Sequence, residues 1–227
     1  MRIKLVTFAP HPNFGTCLQS YALNYVLRKM GHDVEFIYNG RENPPQSFIK
    51  VFMKGCIKLF LPKSFIASMK VKRQAGAINR HREPYILELP NHPFLYRLSK
   101  LPFYKTMYKL LKCRNIQWEK VYKFTYEDGN FNMRRIYTHK QYEEVTADTD
   151  LFITGSDQIW NPYCGGFNPM MFVEFGGDKK RIAYSSSISL PELPISVEQR
   201  MKTDLEKFQH IAVREQRSVG LLNKLLH

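Results

Sequence analysis

The sequence contains no apolar run of about 18 residues, the length that a membrane-spanning helix requires. Its N-terminus also lacks the apolar core of a signal peptide, because the short apolar stretch after Met1 is interrupted at Pro10. We therefore expect a cytoplasmic protein that lies at most peripherally on the inner face of the membrane. Disorder is excluded as the main state, since 16 Phe, 13 Tyr and 2 Trp among 227 residues supply ample apolar surface for a core.

Cysteines are few and widely spaced. None of them belongs to a CxxC pair, so their spacing argues against a zinc site, and a cytoplasmic location argues against disulfides. No RNA-binding signature, helix-turn-helix pattern or zinc finger is present, so we expect no nucleic-acid partner. We likewise predict no bound metal and no cofactor. The four cysteines are Cys17, Cys56, Cys113 and Cys164.

Acidic residues are scarce in one part of the chain. Residues 50–123 hold 17 Lys and Arg against 3 Asp and Glu, which equals the whole net charge of +14, so the remainder is neutral. Residues 48–61 overlap the start of this segment and have a lysine at every fourth position. On a helix these lysines would form one stripe beside a wide apolar face. Such a helix suits an anionic membrane surface, and it equally suits packing within its own domain. A solvated basic face without a partner is the third alternative.

Strand and helix patterns alternate in the first part of the chain. Residues 3–8 are rich in β-formers, and residues 33–38 form a similar run. Between them, apolar side chains follow the spacing of an amphipathic helix that ends before Gly31. This unit implies two parallel strands joined by a right-handed crossover. The apolar positions of the helix are Leu18, Tyr21, Ala22, Tyr25 and Val26.

The rest of the chain continues the same alternation after an insert. Residues 41–125 form a basic segment whose many prolines predict several short helices. From residue 136 onward the pattern predicts strands separated by helices, and therefore a Rossmann-like α/β fold with a parallel sheet and flanking helices. The predicted strands are 151–154, 181–185 and 210–213, and the predicted helices are 139–147, 196–207 and one from about 216.

Polar residues follow three of the predicted strands, and a glycine-containing loop follows the first. Because ligands bind at the carboxyl ends of parallel strands, we expect these residues to form a substrate site. Asp157 and Gln158 suit sugar hydroxyls, and Trp160 suits either stacking on a sugar ring or capping the core. Arg214, at the end of a strand, suits bidentate recognition of phosphate or carboxylate, or a salt bridge with Glu215. The candidate substrate-binding residues are Asn13, Gly15, Thr16, Gly155, Ser156, Asp157, Gln158, Trp160, Ser186 and Arg214.

Four motifs, in order and at suitable separations, resemble the polysaccharide pyruvyl transferases. They are NFGTCLQSYALNYVLRKMGHDVEFI (13–37), DLFITGSDQIWNP (150–162), KKRIAYSSSI (179–188) and IAVREQRSVGLL (211–222). The resemblance implies two Rossmann-like halves, as in the GT-B glycosyltransferases, with the active site between them. On this basis residues 1–208 form the first half, including the insert, and residues 209–227 begin a second half that is truncated here. The cleft of this chain would then lack its second wall, so this resemblance leaves open whether the 227 residues are active alone.

The resemblance also implies a reaction. The enolpyruvyl group of phosphoenolpyruvate would be transferred to two hydroxyls of one sugar, free or lipid-linked, as a ketal in surface polysaccharide synthesis. Phosphoenolpyruvate is then a donor substrate, with Arg214 in its binding site, while the general acid and base stay unassigned. Two alternatives remain open: a non-catalytic module that binds a membrane or a polyanion, and a GT-B type glycosyltransferase that uses a nucleotide sugar.

Overall fold

A computed structural model describes residues 1–8, 13–39, 83–103, 116–164 and 166–226, with isolated positions between 61 and 68 and at 106. The described residues form a six-stranded sheet in the order β3-β2-β1-β4-β5-β6, in which all neighbouring strands are parallel. This confirms the predicted α/β fold. The strands are β1 (Arg2–Val6), β2 (Asp33–Asn39), β3 (Met133–Ile136), β4 (Leu151–Thr154), β5 (Lys180–Ser186) and β6 (His210–Val213).

Helices connect the strands, and short 3-10 segments occupy the connection from β4 to β5. Within the part of the chain that the structure describes, no helix is both long enough and apolar enough to cross a membrane. The helices are α1 (Phe14–Lys29), α2 (Pro93–Ser99), α3 (Ile116–Tyr122, continued by a π-helical turn at Lys123–Glu127), α4 (His139–Ala147), α5 (Ile195–Leu205) and α6 (Gln216–Leu226). The 3-10 segments are Pro169–Phe172 and Glu174–Gly176.

The strand order places a change of direction between β1 and β4. The chain first runs outward from β1 through β2 to β3, and then returns to β4 and runs the other way to β6. Right-handed crossovers in opposite directions place their helices on opposite faces of the sheet. A crevice therefore opens between the carboxyl ends of β1 and β4, which is where open α/β sheets bind ligands.

The two faces of the sheet carry separate cores. The smaller core lies under α1 and α3 and includes Leu5, Phe36 and Phe131. The larger core lies under α4, α5 and α6 and includes Phe152 and Met201. A sheet that is buried on both faces holds its strand ends rigidly, so the loops at its edge are well supported.

Helix α1 does not bury the side that its apolar spacing predicts. Leu18, Tyr25 and Val26 are about half exposed, whereas polar side chains such as Ser20 and Asn24 are buried against the sheet. The buried groups are satisfied locally: the Ser20 hydroxyl donates to the Thr16 carbonyl, and Asn24 Nδ2 donates to the Asn130 carbonyl at 3.0 Å. The predicted apolar face was therefore wrong, although Tyr21 packs against the smaller core as expected.

Strand β3 was not predicted, and its sequence explains why. MRRI contains two arginines and no alternation of apolar and polar residues. It is an edge strand paired with β2, and residues of β2 interact with both of its arginines. Arg134 Nε lies 3.0 Å from Glu35 Oε1, and the Arg135 guanidinium lies over the Tyr38 ring. Charged side chains on an edge strand also discourage pairing with another chain.

Two predicted regions need separate mention. Of the insert at 41–125, the structure describes α2, α3 and scattered neighbours. Residues 48–61, for which a membrane surface and packing within the domain were the alternatives, lie outside the described residues except for Leu61. Residues 210–226 supply β6, which pairs with β5, and α6, which contacts α5. The division at 208 and 209 and the likeness to a GT-B half stay predictions.

Asp204 is a buried carboxyl group at the last turn of α5, with a side chain that is 1% exposed. Its Oδ1 lies 3.1 Å from Lys207 Nζ, and Glu174 is a second acidic neighbour, itself paired with Arg200. Burial, and then the contact with Glu174, raise the pKa of Asp204 to about 6 in spite of Lys207. The native state therefore binds this proton more tightly than the unfolded chain does.

Because the folded-state pKa is raised, the stabilising effect of the Asp204 proton is complete at low pH and is lost as the pH rises through about 6. We expect Asp204→Asn to be more stable than wild type at about pH 7.5, with a free energy of unfolding that is higher by on the order of 2 kcal/mol. At about pH 4 we expect little difference between the two. Urea unfolding at both pH values measures this difference. Glu206→Gln, an exposed carboxylate in the same turn, is the control, and equal behaviour of the two variants would contradict the prediction.

Candidate functional site

The loops that follow β1, β4, β5 and β6 meet at one edge of the sheet, together with the start of α1. The β1 and β4 exits are joined directly, because Gly155 N donates to the Val6 carbonyl at 3.2 Å and the Thr7 hydroxyl donates to the Ser156 carbonyl at 3.0 Å. Thr16 Oγ1, in the first turn of α1, donates to Asp157 Oδ2 at 2.9 Å. This bond spans the crevice at the change of strand direction, so the predicted residues after β1 and β4 do come together.

The start of α1 is capped by a side chain of its own segment. Asn13 caps the helix, and its Oδ1 accepts from Gly15 N at 2.9 Å. Asn13 and Gly15 are exposed, and the first turn carries no acidic side chain. The unpaired N–H groups and the helix dipole at such an end attract anions.

The β4 exit adopts a backbone that its neighbours impose. Gly155 has φ +109°, and a Cβ there would lie 2.1 Å from the Tyr184 carbonyl oxygen, so the position requires glycine. Asp157 also has a positive φ of 94°, and its Oδ1 accepts from Gln158 N at 2.8 Å. The Gln158 side chain is held in turn by Asn161 Nδ2 at 3.3 Å. Positive φ at a non-glycine residue is costly and is typical of functional loops.

Ser186 is placed in the site region but is used for structure. It is fully buried, and its hydroxyl donates to the Thr154 carbonyl at 3.4 Å. The next residue continues this link, since Ser187 N donates to the Asp157 carbonyl at 2.9 Å. These bonds connect the β5 exit with the β4 exit, so the Ser186 side chain supports the loop of Asp157 and does not face solvent.

Arg214 leaves the end of β6 with a side chain that is 44% exposed. Its backbone is fixed, because Arg214 N donates to the Ser186 carbonyl at 3.0 Å. Its guanidinium Nε lies 3.7 Å from Glu215 Oε2, which is an ion pair without a hydrogen bond. Among the residues described, no hydrogen bond engages this guanidinium, so its donors are available to an anion.

Glu215 belongs to the same cluster of polar residues after β6, although the sequence did not predict it as a site residue. Its Oε1 accepts from the hydroxyls of Ser187, at 2.7 Å, and of Ser218, and from Ser189 N at 3.4 Å. Burial alone would raise the pKa of Glu215, but these hydrogen bonds and the Arg214 charge together lower it. In the sequence, Glu215 is only a glutamate that follows Arg214 and precedes Ser218 by three residues. Its place in the site becomes visible when the fold brings Ser187 and Ser189, from the loop after β5, to the same carboxylate.

The Trp160 side chain is buried in the larger core. Its side chain is 1% exposed, its ring stacks on Phe172 with centroids 5.7 Å apart, and Nε1 donates to the Met171 carbonyl at 3.2 Å. The indole caps the larger core, which is the second of the two predicted roles. The ring offers no exposed face to a sugar in this structure, and the substrate-binding role of Trp160 stays a prediction.

Trp160→Phe separates the two roles. We expect the variant to unfold about 1–3 kcal/mol more easily, because it loses a buried hydrogen bond and part of its packing, and to bind ligands as wild type does. Thermal unfolding and a donor-binding titration measure the two effects. Tyr184→Phe, at an exposed ring on the same edge, is the control. If Trp160→Phe lost ligand affinity while its stability stayed unchanged, Trp160 would be a ligand-binding residue.

The described residues offer no group of three or more His, Cys, Asp and Glu side chains suited to a metal ion. Cys164 is free and exposed, and its Sγ lies 3.5 Å from Gln158 Oε1. Desolvation and the charge of Asp157 raise the pKa of Cys164, so this thiol is protonated at neutral pH and is a poor nucleophile. The described polar groups at this edge include the Arg214 guanidinium and the carboxylates of Asp157 and Glu215.

Comparison with known proteins agrees with this arrangement. The sequence signature of the family described as "Polysaccharide pyruvyl transferase" matches residues 13–227, which include every segment of the site from Asn13 to Arg214. Comparison with curated proteins and with solved structures finds no match. The match covers nearly the whole chain, and it confirms the resemblance that the four motifs predicted. The chain belongs to the polysaccharide pyruvyl transferase family, which is a family of transferases.

Proposed function

We propose that the protein transfers the pyruvyl group of phosphoenolpyruvate to two hydroxyls of one sugar, as a cyclic ketal, in the synthesis of a surface polysaccharide. The observation that carries this proposal is the half-exposed Arg214 guanidinium, which lacks a hydrogen-bond partner among the described residues and stands on the same sheet edge as the start of α1. Phosphoenolpyruvate is a donor substrate here, and the reaction as written uses no cofactor.

The charges of the edge suit a donor with two anionic groups. The Arg214 guanidinium is able to pair in two-pronged fashion with a phosphate or a carboxylate. The N–H groups at the start of α1, beside Asn13 and Gly15, offer a second place for negative charge. Phosphoenolpyruvate carries one phosphate and one carboxylate, so the two features match its two ends.

The carboxylate of Asp157 suits the other substrate. A negative charge repels the donor but accepts hydrogen bonds from sugar hydroxyls, and a carboxylate has more acceptor positions than Thr16 and Gln158 N occupy. Gln158 contributes an amide next to it. We therefore assign Asp157 and Gln158 to the acceptor sugar and Arg214 to the donor.

In the proposed reaction, bonds form and break in the two substrates and none is formed to the protein. Two C–O bonds form between sugar hydroxyl oxygens and the central carbon of the enolpyruvyl group, the C–O bond to phosphate breaks, and the methylene carbon gains a proton to become a methyl group. Of the two hydroxyl protons that the acceptor loses, one is balanced by the proton that the methylene carbon gains, and the other is taken up by the released phosphate. A cation beside the departing phosphate stabilises the charge that develops there, which is the contribution we assign to Arg214.

The test is an incubation of the protein with phosphoenolpyruvate and a panel of nucleotide-linked and lipid-linked sugars. We expect release of inorganic phosphate that depends on an acceptor, together with an acceptor that has gained a pyruvate ketal, detected by mass spectrometry. Reactions without acceptor are the control. Release of nucleotide from a nucleotide sugar without use of phosphoenolpyruvate would instead indicate a glycosyltransferase, and failure of phosphoenolpyruvate to bind would overturn the proposal.

A further inference from the structure

The carboxylate of Glu215 is the centre of a hydrogen-bond cluster between the β5 and β6 exits. Its Oε1 accepts from Ser187 Oγ, Ser218 Oγ and Ser189 N. Ser187 and Ser218 are fully buried, whereas the Glu215 side chain is 31% exposed, so these bonds are partly buried. Hydrogen bonds to a charged acceptor in such surroundings are among the stronger ones in proteins.

The cluster also fixes the backbone on both sides. Ser218 Oγ accepts from Ile188 N at 3.2 Å, and Ser187 Oγ lies 2.6 Å from Ser189 Oγ. Ser189 has a positive φ of 54°, a conformation that needs outside support in a residue with a side chain. Glu215 supplies part of this support through its bond with Ser189 N. The carboxylate is therefore held in one place by two separate segments.

The second oxygen of this carboxylate faces the candidate donor-binding cation. Glu215 Oε2 lies 3.7 Å from Arg214 Nε, while Oε1 is occupied by the serines. We propose that Glu215 is a positioning residue, which holds the Arg214 guanidinium through Nε and leaves the two terminal nitrogens for the donor anion. This inference rests on the proposed function, because it concerns how the donor site is kept in order.

Positioning and simple electrostatics predict opposite results for Glu215→Gln. A negative charge next to Arg214 repels an anionic donor, so its removal alone would tighten phosphoenolpyruvate binding. If Glu215 orients the guanidinium, the same variant binds the donor more weakly, because an amide nitrogen now faces Nε and the guanidinium is no longer held. The variant keeps one amide oxygen as an acceptor for the serines, which favours a native fold.

The experiment is a double-mutant cycle on the full chain, with phosphoenolpyruvate titrated by calorimetry. We expect Glu215→Gln to lower affinity about tenfold in the wild-type background and by less than about twofold in the Arg214→Ala background. Glu192→Gln, an exposed glutamate in the loop after β5, is the matched control and should leave affinity unchanged. Tighter binding by Glu215→Gln, or equal effects in both backgrounds, would overturn the proposal.

A second measurement does not depend on the donor. The Nε–H signals of arginines are resolved by nitrogen-15 NMR, and the signal that disappears in Arg214→Lys belongs to Arg214. We expect this signal to report a restrained side chain in wild type and in Glu192→Gln, and a freely moving one in Glu215→Gln. An unchanged signal in Glu215→Gln would overturn the positioning role. Absence of phosphoenolpyruvate binding in wild type would overturn the proposed function alone, and the NMR result would still decide the role of Glu215.

Discussion

Arg214→Ala is expected to weaken phosphoenolpyruvate binding by about 2–4 kcal/mol, which is about 30- to 1,000-fold. The guanidinium is the half-exposed cation at the carboxyl edge of β6, and it has no hydrogen-bond partner among the described residues. Its removal would leave the donor anion without this counter-charge. Calorimetric titration of the purified variant measures the loss directly.

Arg214→Lys refines this prediction. A lysine restores the charge but not the two-pronged contact, so we expect only partial recovery of affinity. Arg217→Ala is the matched control, since Arg217 is an exposed arginine three residues further on, and its removal should change affinity little. Unchanged affinity in both Arg214 variants, with the fold intact, would assign Arg214 to structure.

Gly155→Ala is expected to destabilise the protein by about 3–5 kcal/mol, the largest effect on stability that we predict. The new Cβ would lie 2.1 Å from the Tyr184 carbonyl oxygen and 2.8 Å from Ser186 Oγ, and the φ of +109° disfavours any side chain. Either the β4 exit or the β5 exit must move. Urea unfolding of the variant measures the free-energy change.

Gly31→Ala provides the comparison for this substitution. Gly31 also has a positive φ, of +85°, but a Cβ at this position would meet no atom within 4 Å, so only the backbone strain remains. We expect a cost of about 1–2 kcal/mol there. Similar losses for the two alanine variants would show that the contact with Tyr184 is not what requires Gly155.

Much of the sheet could be predicted from short local patterns. LFIT at 151–154 and HIAV at 210–213 have the bounds that were predicted, because compact apolar runs next to polar turns are typical of buried parallel strands. The helix at 139–147 was also predicted with its bounds, and Thr138 caps it by accepting from Gln141 N. These elements carry their own start and stop signals.

Other features depend on partners far away in the sequence. The buried side of α1 contains Ser20 and Asn24, which are satisfied by a neighbouring carbonyl and by Asn130, and the apolar spacing of Leu18 and Val26 gives no sign of this. Strand β3 is stabilised by pairing with β2 and by the Arg134 contact with Glu35. A local pattern contains no information on such partners.

The site shows the same division. That Asp157 and Arg214 lie at one edge follows from the parallel sheet and was predicted. For Trp160 the sequence left two roles open, because indole rings suit cores and sugar sites alike, and the contact with Phe172 places the ring in the core. Glu215 was not assigned to the site because two of its serine partners lie in the loop after β5, and Ser187 is 28 residues earlier in the chain.

Hydrogen exchange with and without phosphoenolpyruvate tests the location of the donor site most directly. At saturating donor we predict slower amide exchange in residues 13–16, 155–158, 186–189 and 214–218, and no change at the opposite edge of the sheet in residues 31–33 and 148–150. Protection confined to the opposite edge, or no protection anywhere while calorimetry shows the donor bound, would contradict a donor site at the carboxyl ends of these strands.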